Sequence, residues 1–449
     1  MRSGHLLPTE LPTPEAVRIS RLRLAVFTLP VLLFQAIEMA WRSYLPRFLT
    51  LDVGIALGTV GALMLGARLL DAIADPLLGW LSDTVRTPWG LRKPWMLLGA
   101  FLVPAGALML FLAPPGAGLV QIVGASLLLH LGYSFIITPH GGWGLELSDD
   151  KHQRTRIMGA KLWFGLFGSL GLMMVVALLE RGLAMPRSGQ MAVIGWAIAL
   201  LAPLTVLAVI LAFRERERTE AQQVRHRPFA LFGAILREPA MRSILLLYIV
   251  TGMADAAAAG TFLFLAEDAL DLKGWGASLL LVQPALVLVT LPLWSRISAR
   301  IGRRRTLMIA YGWQGVTVPL LFLIPAGYPA LFAAFLALRA LGWGVDYMLL
   351  RAMVADLAGG TQAQGPRLAG TYYGVSSVTL KLAMGLGAGG ALWLIDLITS
   401  RGDAGTADLA IRFVYGAPAI FAAIVALALL GRGGSPFGGR GGQPSLSPA

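Results

Sequence analysis

Apolar positions in this chain come in unbroken runs of helical length, separated by short polar turns. A helix needs about 20 predominantly apolar residues to cross the hydrocarbon core of a bilayer. Twelve stretches satisfy that length: 24–46, 56–80, 94–113, 119–140, 158–180, 191–213, 243–266, 276–297, 305–325, 328–350, 369–396 and 410–431. The pattern predicts an all-α membrane protein with twelve transmembrane helices. Buried helices of a large soluble protein do not fit, because so many runs in series leave no polar surface for water. Composition agrees, with 56% hydrophobic and only 14% charged residues, well away from soluble globular usage.

The placement of the charges predicts an orientation. With the N-terminus inside, the inner segments carry roughly 26 Arg and Lys and the outer segments roughly 6. The inner set includes Arg86, Arg92 and Lys93, then Lys151, Arg154 and Arg156, the run from 214 to 242, and Arg303, Arg304 and Arg305. Both termini are therefore expected in the cytoplasm, and the net charge of +13 reads as a topology signal. Spread over alternate loops, this charge does not point to nucleic acid. The first apolar run follows a largely polar segment and is long enough to span, so it is expected to remain as helix one. A bacterial inner (cytoplasmic) membrane is the expected location, with the lipid bilayer as surroundings and no obligatory protein partner evident. There is no cysteine, which excludes disulfides and thiol catalysis. No nucleophile or metal-ligand constellation suggests an enzyme or a bound cofactor.

The longest inner polar stretch, RERERTEAQQVRHRPF, divides the helices six and six. The expected organisation is a cytoplasmic segment at 1–23, a bundle at 24–213, a linker at 214–242, a second bundle at 243–431 and a disordered tail at 432–449. GWLSDTVRTPWGLRK between helices two and three has a counterpart, WSRISARIGRRR, between helices eight and nine. Either the halves are repeats, or two positive-inside loops coincide. Gly165, Gly168 and Gly171, and Gly385, Gly387, Gly389 and Gly390, mark helix faces where backbones can approach closely.

A charge at the bilayer centre costs at least a few kcal/mol, so each intramembrane ionisable group needs a role or a partner. Helix two carries Arg68, Asp71 and Asp75 one turn apart on one face. The two carboxylates either share a proton, coordinate Na⁺ through oxygen, or pair with Arg68 or a basic residue of another helix. Lys381 in helix eleven is one such partner. His130 and Ser134 lie one turn apart in helix four, where Ser134 can offer an oxygen to a cation and His130 can titrate or simply pack. Glu38 with Arg42, and Arg339 with Asp346, are spaced to pair along their own helices. Asp255 in helix seven has no local partner and is a candidate cavity residue.

The stretch ARLLDAIADPLLGWLSDTVRTPWGLRKPWMLLGA, at 67–100, resembles the signature of the glycoside/pentoside/hexuronide:cation symporter family of the major facilitator superfamily. YSFIITPHGGWGLELSDDKHQRTR and VADLAGGTQAQGPRLAGTYYGVSSVTLKLAMG agree with it in order, so the likeness touches both halves. The resemblance implies two six-helix bundles and cation-coupled symport, with Na⁺ or H⁺, of a sugar or sugar-like solute by alternating access. It implies a cation site at Asp71 and Asp75, which would be metal ligands if the ion is Na⁺, with Ser134 beside them. Lys381 falls on the family's intramembrane lysine, which touches both this site and the sugar. The family's sugar ligands fare differently. Its helix-one aspartate falls on Gln35, with Glu38 one turn away, and its helix-five arginine on Lys161. Its helix-four aspartate falls on Ile137, and its stacking tryptophan on Gly141, with Trp143 near. The coupling residues are thus present while galactoside recognition is not. A carrier of the same fold for a lysolipid or drug is the alternative.

Overall fold

In a computed structural model, residues 19–85, 87–147, 151–215, 233, 235–360, 369–400 and 404–431 are described. Arg86, most of the expected linker and the expected tail lie outside them, as do the side chains of Lys151 and Arg154. Twelve helices are long and apolar enough to cross a membrane. They are α1 Arg21–Val53, α2 Leu57–Ser82, α3 Lys93–Phe111, α4 Leu119–Gly144, α5 Arg156–Gly182 and α6 Arg187–Ala212 in the first half. The second half has α7 Pro239–Ala269, α8 Gly276–Ile301, α9 Arg303–Leu323, α10 Pro329–Leu357, α11 Gly374–Thr399 and α12 Thr406–Gly431. Each expected run falls on one of them. The helices extend beyond several runs because amphipathic ends project past the hydrocarbon, as at Pro239, four residues before the expected start of helix seven.

Among the backbone interruptions, two lie next to charged side chains inside spanning helices. α1 changes to π-helix at Ala40–Tyr44, widening the turn that carries Trp41 and Arg42. α10 is interrupted by turns at 341–344, ending at Gly344 with φ +81°, where a side chain would be strained. Such breaks survive in a membrane only inside protein or along a cavity.

At the face carrying the basic clusters, those residues also hold loops. Glu215 accepts from the N–H groups of Leu91, Arg92 and Lys93 at 2.5, 3.0 and 2.8 Å, an anion at the start of α3. Arg92 reaches the Pro139 carbonyl of α4 at 3.0 Å. In the second half Arg303 pairs with Asp356, and Arg304 donates to the Leu430 carbonyl at 2.7 Å. The two loops singled out as counterparts thus do equivalent work.

The two bundles meet from mid-depth to the opposite, far face. α2 lies against α11 so closely that a Cβ at Gly61 would stand 2.5 Å from the Gly389 carbonyl oxygen. At the far face Arg47 of α1 pairs with Asp268 and, at 3.1 Å, with Glu267 of α7. Arg187 of α6 joins Asp52 at 3.0 Å and Glu267 at 3.2 Å. Glu180 accepts from the Ala277 N–H of α8 at 3.0 Å.

The orientation expected from the charges is open to a clean test, since the chain has no cysteine. Asp271 is exposed on the far face at the turn after α7. An impermeant thiol reagent applied to intact cells should modify Asp271→Cys and spare Thr219→Cys in the linker. The reverse pattern would invert the topology.

Candidate coupling site between the bundles

Asp71 and Asp75 are four residues apart on α2 and face the rest of the protein through different partners. Asp71, 1% exposed, accepts from Arg68 at 3.0 Å and lies 3.1 Å from Nδ1 of His130. The same guanidinium forks onto Glu38 of α1, at 3.0 and 2.5 Å. Asp75 accepts from the Ser134 hydroxyl at 2.8 Å and the Thr138 hydroxyl at 3.4 Å, both on α4. Its other oxygen is in contact with the Lys381 ammonium of α11, across the bundle boundary. Arg68 and Lys381 thus divide the two carboxylates between them.

Summed over this cluster, Glu38, Asp71 and Asp75 supply three negative charges against Arg68 and Lys381. With His130 neutral, one negative charge is left over at a depth where charge is costly. His130 is buried, its ring edge-on to Trp41 at 4.3 Å. A single added monovalent cation makes the cluster neutral. Carboxylate and hydroxyl oxygens converge at Asp75, with the Lys381 ammonium against them.

Several sequence expectations resolve differently. Glu38 pairs with Arg68 rather than with Arg42 along its own helix, because the π-turn after Met39 rotates Arg42 toward α7. Arg42 meets Asp255 at 3.2 Å, an ion pair between bundles, and Trp343 donates to the other oxygen of Asp255 at 2.9 Å. Arg339 donates to the Tyr415 hydroxyl at 2.7 Å instead of pairing with Asp346, since the break at 341–344 separates them.

A small cavity of about 10 Å³ lies at the bundle boundary, lined by Trp41, Arg42, Met64, Arg68, Met384 and Gly385 among others. It has room for about one water. The residues aligned with the family's sugar ligands are not in this lining. Trp143 is buried inside the first bundle, edge-on to Phe27 at 6.2 Å and Phe213 at 6.5 Å. Lys161 reaches the His140 carbonyl at 3.4 Å and lies over the Phe27 ring at 5.5 Å. Gln35 is exposed, its side chain against Gly165 of α5.

The sequence reading passed over Thr138, Trp343 and the far-face charges. Thr138 was within reach, being one turn beyond Ser134, as Asp75 is beyond Asp71. The cross-bundle partners of Arg42 and Arg47 carried no local signal.

Comparison with known proteins places these residues in a family. The chain matches the family described as MFS/sugar transport protein over residues 26–432. The uncharacterized symporter YjmB of Bacillus subtilis is 24% identical over 361 residues, 76% of either chain. The putative glycoside/cation symporter YagG of Escherichia coli is 23% identical over 376 residues, 80% of either chain. The inner membrane symporter YicJ of Escherichia coli is 30% identical over 185 residues, 40% of this chain and 39% of its own. Among solved structures, the nucleoside transporter NupG shares the fold with a TM-score of 0.66 at 16% identity, covering 91% of this chain and 98% of NupG. With twelve spans in two bundles and a match running through nearly all of them, the chain belongs to the MFS/sugar transport protein family and is a multi-pass membrane transport protein of the major facilitator fold.

Proposed function

We propose that this protein moves a sugar or sugar-like solute across the bacterial inner membrane together with one cation, Na⁺ or H⁺. The observation that carries this is Asp75, held by α4 hydroxyls on one side and by Lys381 of the opposite bundle on the other. A cation entering at Asp75, with Asp71 one turn away, competes with Lys381. The lysine is then free to meet solute, which ties the ion site to the solute site and to the contact between bundles. The solute is taken at the boundary lined by Trp41, Arg42 and Arg68, with Glu38 and Asp255 behind the guanidiniums.

Uptake into membrane vesicles under an imposed Na⁺ or H⁺ gradient, run against a panel of glycosides, tests this reading. Accumulation driven by one of the gradients is expected, and none with either ion and any glycoside would overturn it. The apolar share of the cavity, Met64, Ala256, Met384 and Ala388, favours a second reading, an amphipathic solute such as a lysolipid, which belongs in the same panel.

Because Trp143 packs inside the first bundle and Lys161 replaces a bidentate arginine, melibiose uptake is expected at background. High-affinity melibiose uptake by the unmodified protein would show that Gln35, Glu38 and Lys161 rebuild a galactoside site in the open conformation.

A further inference from the structure

Asp346 stands apart from every ion pair described above. It is 2% exposed and sits on α10 just past Gly344. Its carboxyl accepts from the Tyr347 backbone N–H at 2.9 Å, and Gln314 of α9 lines the same pocket. Among the described residues, no Arg, Lys or His lies within ion-pair reach of it.

Its pocket also holds Asp255 from α7, Tyr311 from α9 and Arg339 and Tyr347 from α10. Tyr415 of α12 and Tyr248 of α7 lie behind these. Neither nearby cation pairs with Asp346. Arg42 is committed to Asp255, and Arg339 to the Tyr415 hydroxyl, 5.2 Å over that ring. The Tyr311 hydroxyl is shared with Thr251 at 2.7 Å. Two buried polar atoms in the pocket have no partner, the Tyr347 hydroxyl and Nε of Arg339, itself 4% exposed.

We propose that Asp346 is a proton-binding site of the second bundle, separate from the Asp71 and Asp75 cluster in the first. An ionised carboxylate without an ion-pair partner is costly at this depth. The neutral acid avoids that cost and gains an O–H donor. The proton also answers a difficulty of the transport cycle. When the bundles part, Arg42 leaves with the first and Asp255 remains beside Asp346. Two carboxylates in one pocket cannot both stay ionised cheaply, and a proton on Asp346 keeps that pocket from carrying both charges. Transport then depends on pH through the second bundle even if the ion at Asp75 is Na⁺.

Infrared spectroscopy of the purified full-length protein in lipid nanodiscs tests the site directly. The wild type should show the carbonyl stretch of a protonated carboxyl at neutral pH, shifted in D₂O and removed reversibly by alkali. The band should vanish in Asp346→Asn and persist in Asp75→Asn. Identical spectra for wild type and Asp346→Asn would mean that Asp346 is ionised and would overturn the proposal. A band that survives to the highest pH the protein tolerates would overturn its role as an exchangeable site. As a second reading, exchange of the solute should slow at alkaline pH in the wild type and lose that slope in Asp346→Asn, which mimics the protonated form. Superimposable pH profiles would count against it.

Discussion

Asp75→Asn should abolish accumulation of solute against its gradient while leaving solute binding and exchange measurable. With His130 neutral, removing the Asp75 charge leaves Glu38 and Asp71 against Arg68 and Lys381, the balance that the wild type then reaches only with a cation bound. The variant is therefore electrically a permanently loaded carrier. In the wild type, cation and solute should raise each other's affinity by one common factor, within the usual range of roughly 5–150-fold. In Asp75→Asn that factor should disappear, and solute affinity should be independent of the cation. Lys381→Ala moves the balance the other way, leaving three carboxylates to Arg68 alone, and should injure binding and accumulation together. Counterflow, net uptake and calorimetry with and without the cation separate these outcomes. If Asp75→Asn still concentrates solute with an unchanged cation dependence, Asp75 is a structural residue and the coupling scheme is wrong.

Gly61→Leu should arrest transport without unfolding either bundle. The nearest atom to a new Cβ is the Gly389 carbonyl oxygen at 2.5 Å, with the Trp393 backbone N and Leu392 Cβ each at 3.3 Å. Backbone cannot step aside as a flexible side chain can, so the relief available is separation of α2 from α11. Overpacking of this kind costs about 1–3 kcal/mol, which shifts the balance between closed and open far sides by roughly 5–150-fold. Net uptake should fall to background with the protein still present in the membrane. Met64 is 3% exposed and lines the boundary cavity, so Met64→Cys should react faster with an impermeant reagent in the Gly61→Leu background. Wild-type uptake by Gly61→Leu would show that this contact takes no part in the cycle.

The sequence carried the fold because a membrane helix is a one-dimensional object. Twelve apolar runs follow from the need to satisfy every backbone group inside hydrocarbon, and each run was found where a helix stands. The spacing of Arg68, Asp71 and Asp75 was equally legible, since residues three and four apart on a helix are neighbours whatever surrounds them. Lys381 was legible as a partner for the carboxylates from its place in helix eleven, and Ser134 beside the site followed from the resemblance; Asp75 touches both.

What the sequence could not decide is who answers whom across the bundle. By local spacing Glu38 belonged with Arg42, and Arg339 with Asp346. A π-turn at Ala40–Tyr44 and a break at 341–344 reassign them, giving Glu38 to Arg68, Arg42 to Asp255 and Arg339 to Tyr415. Neither irregularity has a period to read, and a single such turn rotates every side chain after it. The charge left over among Glu38, Asp71 and Asp75, and the absence of an ion-pair partner for Asp346 among the described residues, are sums over residues hundreds of positions apart. Helical periodicity fixes neighbours within one element. Only the packing of α1 on α2, α4 on α2 and α11 across to Asp75 fixes which charges share one low-dielectric space, and therefore which of them an ion must balance.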